Sequence, residues 1–100
     1  MSALQWLAEH STGAPARLRE RVETYLKEVP GEPELAWSLV RAGGAALDRA
    51  IAAPEARAAA LDLLAADALV TLALLAQAET APEDLAAFAG SLLPWLGGVR

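Results

Sequence analysis

A chain of 100 residues is long enough to bury one ordinary core without staples, and the whole length is expected to form a single all-helical domain, 1–100. It has no cysteine, which excludes disulfides, thiolate metal sites and cysteine nucleophiles. The net charge of −5 is uneven: residues 54–100 carry six acids and only two bases. That argues against a nucleic-acid partner, since phosphate contacts need clustered Lys and Arg.

Alanine and leucine dominate, with one isoleucine and five valines, a composition that favours helices over strands. Breakers at "STG" (11–13), "PGEP" (30–33), "AAP" (52–54), "TAP" (80–82) and "PWLGG" (94–98) divide the chain into segments with a helical apolar period. The expected fold class is all-α: a small bundle of four main helices plus a short N-terminal one.

The first segment covers 2–10. Ser2 and Gln5 have the spacing of a capping box, and Met1, Leu4, Leu7 and Ala8 form a short stripe. The start has no basic lead and contains Glu9 and His10, so it is not read as a secretory signal; a cytoplasmic location is expected. The second segment, about 15–29, opens at Pro15. It turns Leu18, Val22, Tyr25 and Val29 inward and a charged face with Arg17, Arg19 and Glu20 outward.

The third segment, about 33–52, keeps an inner stripe of Leu35, Ala36, Leu39, Val40, Gly43, Ala46, Leu47, Ala50 and Ile51. A mid-helix glycine is destabilising by about 0.5–1 kcal/mol relative to alanine. Gly43 inside the stripe is therefore expected to mark close approach of another helix, with a kink at Gly43–Gly44 as the alternative.

The fourth segment, about 54–79, is the central apolar helix. On a wheel, Leu61, Leu64, Ala65, Ala68, Leu72 and Leu75 form one apolar face. Leu63, Val70 and Leu74 form a second, with Asp62, Ala66, Ala73 and Gln77 as a mildly polar strip between them. A helix apolar nearly all round is buried in a core or in lipid. Lipid is disfavoured, because a span needs about 20 mostly apolar residues and the uncharged run Ala68 to Ala78 has 11. No membrane span is expected.

Asp67 replaces an apolar residue on the second face. Its carboxylate is expected to be largely buried against Thr71 or an arginine (Arg41, Arg49 or Arg57), within the chain or across a two-fold interface. Asp62 is expected to be solvated or paired with a base from a neighbouring segment. The fifth segment, about 81–93, opens with a second capping-box spacing at Thr80 and Glu83, turns Leu85, Phe88, Ala89 and Leu92 inward, and ends before Pro94.

Catalytic and cofactor motifs are lacking. The single histidine, His10, with no cysteine cannot make an ordinary zinc site. There is no Glu-x-x-His, no nucleophile elbow and no phosphate loop. No metal, cofactor or catalytic residue is therefore expected, and the chain reads as non-enzymatic. The expected function is a helical interaction or assembly module, self-associating as a dimer or binding a protein partner. Its contact residues are Asp67, Thr71, Leu63, Val70 and Leu74 of the central helix with Trp37 and Trp95. The alternatives are a bundle that holds an apolar small molecule with Asp67 as its polar contact, or an accessory subunit of a larger enzyme.

Overall fold

A computed structural model describes residues 2–94. The chain is all-α: α1 (Ala3–His10), α2 (Ala16–Glu28), α3 (Leu35–Ala52), α4 (Ala59–Thr80) and α5 (Leu85–Leu93), with a 3-10 turn at Pro82–Asp84. Among the described residues there is no strand. Trp95 lies outside them, so its expected contact role has no structural counterpart here.

The helix starts follow from local chemistry. Ser2 Oγ accepts from the Gln5 amide at 3.1 Å while Gln5 Oε1 accepts from the Ser2 amide at 2.9 Å, the reciprocal capping box. Thr80 is not a second cap. It remains inside α4, where its hydroxyl donates to the Ala76 carbonyl at 2.9 Å. The expected start of the fourth helix is also corrected. Residues 54–58 form turns, and α4 begins only at Ala59, because the chain must reverse after Ala52 to lay α4 against α3.

The α3–α4 pair is the principal interface of the molecule. It is built from small side chains: Ala42, Gly43 and Ala46 on α3, and Ala65, Ala66, Ala73 and Ala76 on α4, with fully buried Leu39, Val40 and Leu69 between them. A Cβ placed on Gly43 would stand 3.3 Å from Val70 Cγ2 and 3.4 Å from Leu69 Cβ. The two helices therefore meet where α3 has no side chain. Val22, Tyr25 and Leu26 of α2, Trp6 and Leu7 of α1, and Phe88 and Leu92 of α5 close the remaining sides of the core.

This arrangement reverses the wheel read from the sequence. The strip of Asp62, Ala66, Ala73 and Gln77 is the buried face of α4, whereas Leu63, Leu64 and Leu75 are exposed. The physical reason is approach distance. Helices that meet on alanine and glycine bring their backbones closer than a row of leucines permits, so the alanine strip wins the core and Leu63, Leu64 and Leu75 point away.

Candidate functional site

Two candidate sites emerge on α4, one on each face. On the buried face, Asp62 is 2% exposed, and its Oδ1 accepts from the Tyr25 phenol at 2.7 Å and from Arg21 Nε at 2.8 Å. Tyr25, also 2% exposed, has Arg49 Cζ at 5.5 Å and Arg21 Cζ at 5.9 Å from its ring centroid. Burial pushes the Tyr25 phenol above its ordinary pKa, and its bond to the Asp62 carboxylate and that negative charge push it further. The phenol therefore keeps its proton and donates a hydrogen bond, and with Arg21 it satisfies Asp62 Oδ1. Every buried side-chain nitrogen and oxygen among the described residues has a partner. Above this network, Arg17, Arg21 and Arg57 line a shallow cleft with Leu61.

The outward face of α4 has a different character. Ile51 on α3 is 58% exposed, Leu63 51%, Leu64 55% and Leu75 41%. These four are large aliphatic side chains left in water where a solvated helix would carry charges. Asp67 and Thr71 are exposed on the same face. The expected burial of Asp67 within the chain is thus corrected: no polar side chain among the described residues pairs with its carboxylate. The buried, doubly bonded acid is Asp62, five residues earlier.

None of the three arginines considered for Asp67 serves it. Arg41 pairs with Glu32, Arg49 lies over the Tyr25 ring, and Arg57 is in the arginine cleft. Val70 and Leu74 are half-buried at the edge of the outward face. Gly43, Leu47, Leu63, Ala66, Asp67 and Val70 line an open recess of about 280 Å³ between α3 and α4. Trp37 is not on this face. Its ring meets Phe88 edge-on at 5.1 Å, 70° between planes, packing α5 onto α3.

A third cluster joins α1 to the last turn of α4. The Trp6 indole donates to Glu79 Oε1 at 3.1 Å, and His10 stacks on Trp6 at 3.9 Å with its Nε2 3.3 Å from Glu79 Oε2. His10 Nδ1 lies 2.8 Å from the Trp6 carbonyl. That backbone bond raises the imidazole pKa above its ordinary value, and the bond to Glu79 with the charges of Glu79 and Glu9 adds to it against a partial desolvation. The cluster ties α1 to the C-terminal end of α4. Trp6 was missed from the sequence; for Asp62 the expected pairing with a base of another segment is met by Arg21, while its burial and its bond to Tyr25 were missed. Ionic partners 41 residues apart leave no spacing signal, but Trp6 and His10 at i and i+4 on one helix do.

Among the described residues no group of His, Asp and Glu is arranged to hold a metal ion. One helix, α4, is long and apolar enough to cross a membrane by length and composition alone. No known protein family, curated protein or solved structure matches this chain.

Proposed function

We propose that this chain is a non-enzymatic, self-associating helical module whose contact surface is the outward face of α4 with the adjoining edge of α3. The observation that carries the reading is the inversion of α4: Ala65, Ala66, Ala73 and Ala76 are buried, while Leu63, Leu64 and Leu75 are in water. A contiguous exposed aliphatic surface on a small protein marks a contact site. The contact residues are Leu63, Leu64, Asp67, Thr71 and Leu75, with Ile51, Leu47, Val70 and Leu74 at the flank. Size-exclusion chromatography with light scattering over a dilution series tests it. The expected result is a dimer at high concentration, converted to a monomer by Leu64→Glu with Leu75→Glu while the thermal midpoint of the fold stays close to that of the monomer. A wild-type monomer at all concentrations up to about 1 mM, where Kd corresponds to only about 4 kcal/mol, would refute it.

A second reading is favoured by the recess beside Gly43. Its walls are apolar with Asp67 at the rim, and its volume of about 280 Å³ is at the small end of ligand sites. An apolar molecule with one polar or cationic group fits that chemistry. A small molecule retained in native mass spectra of the purified monomer would favour this reading over self-association.

A further inference from the structure

The outward face of α4 carries a pattern that specifies how a second copy would lie on it. Ala60, Leu64, Asp67, Thr71, Leu74 and Ala78 are spaced four, three, four, three and four residues apart. That is the spacing of an apolar coiled-coil seam, and at about 100° per residue the six stay within a stripe about 80° wide. Ala60, Leu64, Asp67 and Thr71 are exposed, and Leu74 and Ala78 are half-buried. Among the described residues no helix covers the stripe from Ala60 to Thr71, and Leu74 packs in part against the core.

The order of side chains along the stripe is the same from either end. It runs small, large, polar, polar, large, small: Ala60, Leu64, Asp67, Thr71, Leu74, Ala78. The midpoint falls at Leu69, which faces the core with no exposure. A two-fold axis at that level would place Ala60 opposite the partner's Ala78, Leu64 opposite the partner's Leu74, and Asp67 opposite the partner's Thr71. Two-fold interfaces require this kind of self-complementarity, in which a patch matches itself after rotation.

From this palindromic seam we infer that α4 pairs with α4 of a second copy in antiparallel orientation, in the register centred on Leu69. This rests on the self-association proposed above and names its geometry. The central layer explains the polar pair. Asp67 has no polar side-chain partner among the described residues, and antiparallel pairing brings the partner's Thr71 hydroxyl to each Asp67 carboxylate as a donor. A parallel pair would instead set Asp67 against the partner's Asp67, two like charges in an apolar seam, which is unfavourable. The alanine layers at either end let the helices approach closely, and the leucine layers supply the apolar contact.

The seam from Ala60 to Ala78 is about 27 Å long at 1.5 Å per residue. One helix face of that length is smaller than the roughly 800 Å² per partner of a standard interface. The dimer is therefore concentration-dependent and exchanges subunits freely, which the test uses.

The chain has no cysteine, so single cysteines report position without background. Ala60→Cys and Ala78→Cys are made in the full chain, together with Glu23→Cys on the exposed face of α2 as a collision control. In the antiparallel register, an equimolar mixture of the Ala60→Cys and Ala78→Cys proteins forms a disulfide-linked dimer at least about tenfold faster than Ala78→Cys mixed with Glu23→Cys. Each variant alone stays uncrosslinked, because two copies of residue 60 are about 27 Å apart. Rapid crosslinking of Ala60→Cys with itself would mean a parallel pair and would overturn the register. A mixture no faster than the control, with the wild type still dimeric by light scattering, would overturn the register and leave self-association standing. A wild type that remains monomeric would overturn both. If that monomer partitions into phosphatidylcholine vesicles, the face belongs to a bilayer instead.

Discussion

Asp62 and Asp67 sit five residues apart on one helix and meet opposite environments. Asp62 is buried because Tyr25 and Arg21 reach it with good donors, whereas Asp67 remains in water. A buried carboxylate that loses a donor retains its desolvation penalty. Tyr25→Phe is therefore expected to destabilise the fold by about 1–3 kcal/mol. Asp67→Asn is expected to leave it within about 0.5 kcal/mol, as for a surface site. Urea midpoints of the two variants, measured under monomeric conditions, check the contrast, and equal shifts would contradict it. At Gly43, adding a Cβ at 3.3–3.4 Å from Val70 and Leu69 requires a small displacement. The helical gain of alanine over glycine, about 1 kcal/mol, opposes that, so Gly43→Ala is expected to be near neutral. Gly43→Leu is expected to destabilise by about 1–3 kcal/mol or more through overpacking, with the same midpoints as readout.

At the scale of elements, α1 depends on a titratable tie. His10 has its pKa raised by the Trp6 carbonyl and by Glu79. A group whose folded pKa is above its unfolded value stabilises the fold in its protonated form. Its contribution is complete below the unfolded imidazole value of about 6.5 and is lost as pH rises through the higher folded value. The position at the C-terminal end of α1 adds to the preference for positive charge. The stability difference between wild type and His10→Phe is thus expected to be larger at pH 6 than at pH 8.5, by thermal melts at both pH values. Glu79→Gln should flatten that dependence. The α3–α4 pair behaves differently, since its close approach depends on buried alanine and glycine.

For the whole molecule, the question is what covers α4. A polar residue in an apolar seam lowers affinity while selecting one register. Asp67→Leu is therefore expected to tighten the dimer in a light-scattering dilution series and to weaken the preference for one register. The mixed Ala60→Cys and Ala78→Cys crosslink should then lose part of its advantage over the control. A looser dimer from Asp67→Leu would contradict the role assigned to the Asp67 layer. The leucines on this face are a hazard to a monomer as well as an opportunity, because exposed aliphatic surface of this kind also drives nonspecific association.

Helix content, the number of helices and the Ser2–Gln5 cap were legible in the sequence, because periodicity, breakers and caps are local and need no partner. Gly43 was legible as a point of contact for the same reason: glycine inside an apolar stripe is unusual on its own helix. Which side of α4 faces inward was not legible. Hydrophobicity alone favours burying the leucines, and the choice went to the alanines because α3 offers its own small residues at matching heights, a fact that exists only once both helices are side by side. The fate of the two aspartates followed from that choice. The rotation that turned the alanine strip inward carried Asp62 to Tyr25 and Arg21 and carried Asp67 out to water. The 4-3-4-3-4 seam was present in the sequence throughout, but tertiary packing decided that it lies on the open side of the helix, where a second copy can reach it.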